Sequence, residues 1–403
     1  MKKLIILGAG VHQTPIIEVA QKMPHVRTIV VDKDPNAPGL KFADDVIIHS
    51  IKDHKFLWEE ACNILPDGVM APCADAGLLS AGIIAGGLGL KGPNSWHMII
   101  CNDKENFYDF CKLLEINTPE LYDDLNEYNF PCIIKPVDGV GSQGVFLIKS
   151  FYQKPHPNEL LGTAATYSPS KKAMIQQYIK GTVFNVDLLL QDGKILYYIL
   201  HDEIFEKGKN NFGVDYFVYP SEYASKGFEF PILLECDKLM KALGITDGNI
   251  AVEGVVSSVK GINEGGWYED DVVYIIEVNP RMSGSFHMES HSLASGRNWI
   301  EDGINVALGI PVEGGCHPVP HGWVLIGAEE DGFISSIACR STVIATHRWD
   351  IKKIGNYVRR YNGMDSSTDQ TVLAYYVESY SKQDVVHRLK KLKQCTTIEV
   401  TRP

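Results

Sequence analysis

Apolar and polar positions along this chain fall into two periods, and the switches between them mark out its elements. KKLIIL (2–7), VRTIVVD (26–32), DDVIIHS (44–50) and DGVMAPC (67–73) are short apolar runs that read as buried strands. Helix-period stretches separate them, the first running from the glycine turn GAGVHQ to about Lys22. That alternation predicts a parallel α/β sheet. GLGLKGPNS (87–95) interrupts it and marks a first boundary. NDKENFYDFCKLLEI then reads as a helix capped by Asn102 or Asp103, and Pro119 closes the segment after it.

Further along, the period shortens to two. FPCIIKPVDGVGSQGVFLIKS reads as strand, glycine loop, strand, and AMIQQYIKG as a strand entering a linker. FNVDLLLQDGKILYYIL is a hairpin about Asp192-Gly193. A helix is predicted over 233–243, two long strands over 249–260 and 271–279, and mostly helix over 285–308. GIPVEGGCHPVPHG marks a second boundary. The tail reads as strands near 322–328, 333–338 and 371–378, a helix over 381–393 and a last strand near 396–401. The Ser/Asp-rich NGMDSSTDQT (362–371) reads as a mobile loop. Three regions follow: 1–95, 96–312 with a flap lobe at about 125–182, and 313–403.

Composition narrows the function. A length of 403 residues with 45% hydrophobic content suits a globular protein with several cores. The net charge of −12 argues against broad nucleic-acid binding or adhesion to anionic membranes. An anionic substrate must therefore meet local positive charge. Nine scattered cysteines without a C-x-x-C pair predict free thiols in the cytoplasm. The apolar start MKKLIIL is too short for a signal peptide, and no run of apolar residues is long enough to predict a transmembrane helix.

The chemistry concentrates in YIIEVNPRMSG (274–284). Glu277 and Asn279 sit two apart on a strand, so their oxygens face one way. Arg281 follows at once. Two hard oxygen ligands beside a guanidinium suit a divalent cation on a polyphosphate. If strands 249–260 and 271–279 pair about a turn centred on Gly265, Glu253 lies opposite Glu277 on the same face. Two carboxylates so placed repel unless a cation sits between them. The plain alternative is a pair of solvated strand carboxylates, but the flanking YII and V argue for burial.

Lys135 ends an apolar strand and precedes DGVGSQG, with Gly139, Gly141 and Gly144 around Ser142. Glycines let successive N–H groups converge on an anion. Lys135 adds a point charge for phosphate. The loop lies between two strands, so it can act as a flap that closes and excludes water.

This order of motifs resembles the ATP-grasp superfamily over residues 1 to about 312, and the tail resembles that family's closing strand–helix–strand. KPVDGVGSQGV and EVNPRMSG look nearest to its carbamoyl-phosphate synthase-like and amino-acid ligase branches. The resemblance implies an α/β fold: a parallel pre-ATP-grasp domain, a two-lobed ATP-grasp fold, and a small α+β C-terminal region completing the core. By resemblance, Lys104 and Lys135 contact ATP phosphates, and Gln177 and Ile179 hold adenine and ribose. Glu253, Glu277 and Asn279 bind one or two Mg2+ ions (Mn2+ being the alternative), and Arg281 stabilises the transferred phosphoryl group. The family often has glutamate where Gln177 stands, and a ribose-binding glutamate where GTVF offers Val183 and Phe184.

The activity implied is an ADP-forming ligase joining a carboxylate to an amine or similar nucleophile through an acyl-phosphate. Its partners are then small molecules, with neither nucleic acid nor membrane, and a homodimer is left open. GAGVHQ followed by Asp32 gives a second reading, an NAD-dependent oxidoreductase, although Gln13 replaces the third glycine of that fingerprint. A non-catalytic ATP-binding protein is a third. Asp32, Asp75 and the GAG turn are expected to border the acceptor site instead, with Ser285 and His287 also near it. HMESH spaces His287 and His291 as metal ligands, but Glu289 breaks the H-E-x-x-H pattern. The plainer reading there is polar pocket or cap residues. Likewise LKKLK (389–393) reads as a solvated helix face.

Overall fold

The computed structural model describes residues 1–125, 130–139, 141–205, 213–263, 266–360 and 370–402, with the backbone alone for 258–263 and 266–270. Lys2–Leu7, Val26–Asp32, Asp45–Ile48 and Gly68–Met70 form a four-stranded parallel sheet with Lys2–Leu7 and Val26–Asp32 at its centre. Alternation along the first strand sends Leu4 and Ile6 to one face and Ile5 and Leu7 to the other. The first pair packs with Ile16, Ile17 and Ala20 of helix Thr14–Lys22. The second packs with Leu78, Ala81 and Ile84 of helix Asp75–Leu88. Both faces are therefore covered, and the strands are apolar throughout.

An eight-stranded antiparallel sheet carries most of the rest. Its order is Gly266–Asn279, Gly248–Asn263, Val183–Gln191, Lys194–Phe205, Val214–Tyr219, His321–Gly327, Thr371–Glu378 and His347–Asp350. The tail thus continues the central sheet, and Val385, Leu389 and Leu392 of helix Lys382–Cys395 cover that end. Helix Trp299–Ala307 joins the two sheets. Its fully buried Trp299 shares a core with Leu4, Ile17 and Leu189, and Tyr197 meets the indole edge-on at 4.7 Å.

A separate four-stranded sheet, Leu121–Tyr122, Ala173–Gln177, Cys132–Pro136 and Phe146–Ile148 in that order, forms a small lobe backed by helix Pro157–Thr166. A three-stranded sheet holds Tyr357–Val358, Gly332–Cys339 and Thr396–Thr401. All nine cysteines are free thiols. Among the described residues no helix is long and apolar enough to cross a membrane.

Several elements differ from the sequence expectation. A further helix, Ser95–Asn102, follows directly on the first boundary, opened by Asn94 and His97 in a capping box. Asp103, not Asn102, caps the next helix, Lys104–Leu113. Strands Val214–Tyr219 and His347–Asp350 and helix Pro157–Thr166 were not foreseen. The expected mobile loop lies outside the described residues up to 369, and Thr371 already begins a strand.

Two hairpins set the register. Asp192 and Gly193 both adopt left-handed φ (50° and 74°), as a two-residue hairpin turn requires. The longer hairpin pairs down to Asn263 opposite Gly266; its tip, Glu264 and Gly265, lies outside the described residues. This ladder is offset by one residue from a turn centred on Gly265. A bulge between Glu253 and Gly254 absorbs Ile276 and brings Glu253 opposite Glu277 after all. Gly254 makes the bulge feasible, since a Cβ there would lie 2.5 Å from the Tyr274 carbonyl oxygen and overlap the Phe184 ring. Gly254→Ala is therefore expected to destabilise the protein by about 1–3 kcal/mol. The check is a lower urea midpoint at unchanged slope.

Candidate active site

The floor of the site is a row of side chains across four strands. Cross-strand partners run Glu277, Glu253, Asn185, and the row continues beyond the cleft to the fully buried His201. Neighbours in such a row stand about 4.8 Å apart along the sheet. Two residues along its strand from Glu277, Asn279 donates its amide to the Glu277 carboxylate at 2.9 Å. Two residues along from His201, Glu203 faces the same way and is buried.

The small lobe is the roof. Lys135 leaves strand Cys132–Pro136 fully enclosed and donates to the Tyr108 hydroxyl at 3.1 Å. Tyr108 in turn donates to the Gln176 side-chain oxygen at 3.0 Å, so helix, flap strand and linker strand are tied together. Lys104 opens helix Lys104–Leu113. It donates to the Gly139 carbonyl at 3.1 Å and stands 3.5 Å from the Glu277 carboxylate, bridging roof and floor. Gly141 and Ser142 hold left-handed φ at the exposed flap tip (64° and 56°). Gly144 (φ 73°) packs behind it against Pro136 and Tyr167, where a Cβ would collide with the Tyr167 ring.

Arg281 and Asp75 make the side wall. The guanidinium Nε donates to the Asp75 carboxylate at 2.5 Å, and a second nitrogen donates to the Met282 carbonyl at 3.2 Å. The chain from Ser283 to Phe286 then turns sharply into helix His287–Ser295. Ser285 and Phe286 both take left-handed φ, 53° and 66°. The Ser285 carbonyl accepts the Trp323 indole N–H at 2.8 Å.

Of the residues expected to hold ATP, metal or the transferred group, all but Gly144 and Gln177 line this one cleft, of about 390 Å3; Asp75, Ser285 and His287 line it too, whereas Asp32, the GAG turn and His291 do not. Gln177 is displaced by strand alternation. Its side chain turns outward to accept the Glu120 N–H at 3.4 Å, and Gln176 faces the cleft in its place. Sequence reasoning also passed over Asn185, Glu203 and Tyr108. The first two had a signal: polar residues at alternate positions in otherwise apolar strands, VFNVDLLLQ and YYILHDEIF. The GAG turn is closed by its own side chain: Gln13 lies against Gly8 and Gly10 and donates to the Pro72 and Cys73 carbonyls. Asp32 accepts the Ala9 and Asp34 N–H groups, so it serves the turn's own backbone.

Charges in the cleft strain against one another. Loss of water and the neighbouring Glu277 and Glu203 carboxylates push Glu253 well above the usual carboxylate range. Burial raises Glu203 to about 7. Glu277 goes the other way. Burial opposes its charge, but Lys104, the Asn279 amide, Lys135 and Arg281 outweigh that and lower it. Burial, reinforced by Lys104, lowers Lys135 to about 7 against the pull of Glu277 and Glu253. Without ligand this lysine is therefore half neutral at physiological pH. The unfolded chain keeps that proton until pH 10.5, so between 7 and 10.5 it binds more protons than the folded state. Stability contributed by this group must then rise with pH. Relative to Lys135→Met, the ligand-free protein should gain roughly 2 kcal/mol from pH 7 to pH 9. Urea midpoints of both proteins at the two pH values measure it; a constant gap would show that Lys135 stays charged.

Residues 101–285 match the family model described as an ATP-grasp domain. The carbamoyl phosphate synthase large chain of a Thermoanaerobacter species is 25% identical over 240 residues, covering 57% of this chain and 21% of that one. This chain thus spans about a fifth of the length of that relative. The L-amino acid ligase of Bacillus licheniformis superposes with a TM-score of 0.79 at 18% identity, over 100% of this chain and 99% of that one. Phosphoribosylglycinamide synthetase of Anaerococcus prevotii gives 0.75 at 18% identity, over 99% and 100%. These likenesses establish a shared fold, and within it residues 101–285 match an ATP-grasp domain.

Proposed function

We propose that this protein is an ATP- and Mg2+-dependent, ADP-forming ligase that joins a carboxylate to an amine or similar nucleophile. The observation that carries the reading is the cleft itself: two lysines under a glycine flap face an opposed carboxylate pair with an arginine alongside. Glu253 and Glu277 stand directly across a strand pair, and a divalent cation between them would relieve the repulsion that raises Glu253. Two carboxylates and an amide oxygen are a hard donor set that fits Mg2+. Glu253, Glu277 and Asn279 would hold one or two such ions. When bound there, the metal neutralises polyphosphate charge during transfer.

The chain's own groups do the rest. Lys104 and Lys135 receive the phosphates. A phosphate oxygen beside Lys135 favours its charged form, so the site is completed by the ligand it binds. The flap residues Gly139, Gly141, Ser142 and Gly144 bring backbone N–H groups over the phosphates and exclude water. Gln176 and the Ile179 backbone, on the strand and linker joining the lobes, offer polar contacts to the adenine. Arg281, held by Asp75, stabilises charge on the phosphoryl group as it passes to the carboxylate substrate. The acyl-phosphate so formed is then opened by the nucleophile. Asp75 and Ser285, at the carboxyl ends of the parallel strands, border the acceptor space.

Pooled carboxylates and amines, tested in pairs for phosphate release from Mg-ATP, examine this directly. A productive pair should release phosphate and form ADP. Arg281→Ala should still bind ATP but lose phosphate release by roughly 100- to 1,000-fold. Unchanged release in that variant would remove Arg281 from the reaction. ATP binding without release on any pair would favour a nucleotide-binding protein without turnover.

A further inference from the structure

Beyond the carboxylates, the same sheet face carries a second polar centre that phosphoryl transfer does not use. Asp187, His201, His287 and His291 each bring one ligand atom within 4.8 Å of the others, and all four are buried. Asp187 comes from strand Val183–Gln191, His201 from Lys194–Phe205, and the other two from adjacent turns of helix His287–Ser295. One carboxylate oxygen of Asp187 lies 2.8 Å from His291 Nε2 and 3.1 Å from His287 Nδ1. Its other oxygen accepts the Ser283 hydroxyl at 2.6 Å, which fixes the carboxylate's orientation.

His201 is the informative member. It is fully buried, yet neither ring nitrogen has a hydrogen-bond partner among the described residues. An imidazole carries at least one N–H and, when neutral, one lone pair, and leaving both unmet in a dry interior is costly. Its neighbours offer no remedy: the His287 and His291 rings lie 4.9 and 5.4 Å away, and Trp323 at 5.4 Å. Three imidazoles and one carboxylate around a common point are a donor set for a borderline divalent cation. Mg2+ prefers oxygen alone. Tetrahedral Zn2+ bonds of about 2.1 Å place donor atoms roughly 3.4 Å apart, so the four groups need move only on the order of 1 Å.

We propose that Asp187, His201, His287 and His291 form a zinc centre, separate from the Glu253–Glu277 site, that pins helix His287–Ser295 to the main sheet. The centre stands whether or not the ligase reading holds. It gives the i, i+4 histidines a ligand role and removes His287 from contact with the acceptor substrate. All four positions come from the protein, as in a structural site.

The full-length chain, stripped with a chelator, is titrated with Zn2+ in competition with a chromophoric chelator and separately with Co2+. One equivalent of Zn2+ should bind per chain, and Co2+ should give visible bands of tetrahedral intensity that Zn2+ abolishes. His201→Phe keeps an aromatic ring in the same space but removes both nitrogens, and should weaken Zn2+ binding at least about a hundredfold. Glu253→Gln should retain the full equivalent. The proposal is overturned if the unmodified chain shows no stoichiometric uptake, or if Co2+ gives only weak octahedral absorption. Loss of the equivalent in Glu253→Gln with retention in His201→Phe would overturn it too. Should His201→Phe fail to fold, the cobalt spectrum of the unmodified chain decides alone.

Discussion

The cleft depends on antiparallel register. Four strands must pair so that Glu277, Glu253, Asn185 and His201 fall side by side. A slip of one residue would turn the slipped strand's groups to the opposite face. The register is held at three points. The Asp192-Gly193 turn sets the inner hairpin, and the Gly254 bulge corrects the outer one. Apolar residues on the opposite face, among them Val186, Leu188 and Val252, pack against helix Glu229–Leu243. The polar row is thus paid for by the hydrophobic one behind it: burial of Leu188, Ile232 and Leu239 drives the pairing, and the pairing delivers the carboxylates.

Such a row is electrostatically uneasy, and the unease is informative. Glu253 is pushed well above the usual carboxylate range, Glu203 up to about 7 and Lys135 down to about 7. Three groups in one cleft are pushed toward their neutral forms, while Glu277, Arg281 and Asp75 keep a compact network. Buried groups displaced this far mark functional sites more often than structural ones. A polyanion carried with a divalent cation supplies both missing charges at once, negative beside Lys135 and positive between the glutamates.

Much of this was legible in the chain. The alternating apolar runs located the parallel sheet, and E-x-N-P-R with its strand context placed Glu277, Asn279 and Arg281 on a cleft wall. What escaped had physical causes. Gln177 was assigned by resemblance alone, and a strand entering a linker has no apolar alternation strong enough to show that Gln176 is the one facing inward. The turn of the long hairpin was misplaced by one residue, and Glu253 still met Glu277 because a bulge, invisible to simple periodicity, made up the difference. The histidine centre was split across three elements, two adjacent strands and a helix 86 residues beyond His201, and its helical pair alone looked ordinary. Only the fold brings Asp187 and His201 to it.

The segment between the two polar centres explains why they belong together. From Arg281 to His287 the chain passes from strand end to helix start in a few residues, and Ser285 and Phe286 both occupy the left-handed region. Two consecutive non-glycine residues there are unfavourable on their own, at a cost of about 1–3 kcal/mol each. The conformation persists because both ends are fastened. Arg281 is gripped by Asp75, Ser283 by Asp187, and the Ser285 carbonyl by Trp323. Whatever secures Asp187 and helix His287–Ser295 therefore also secures the loop that aims Arg281. The proposed reaction would require that guanidinium to be held to within about 0.5 Å, and a buried centre one loop away is a physical means of meeting that requirement.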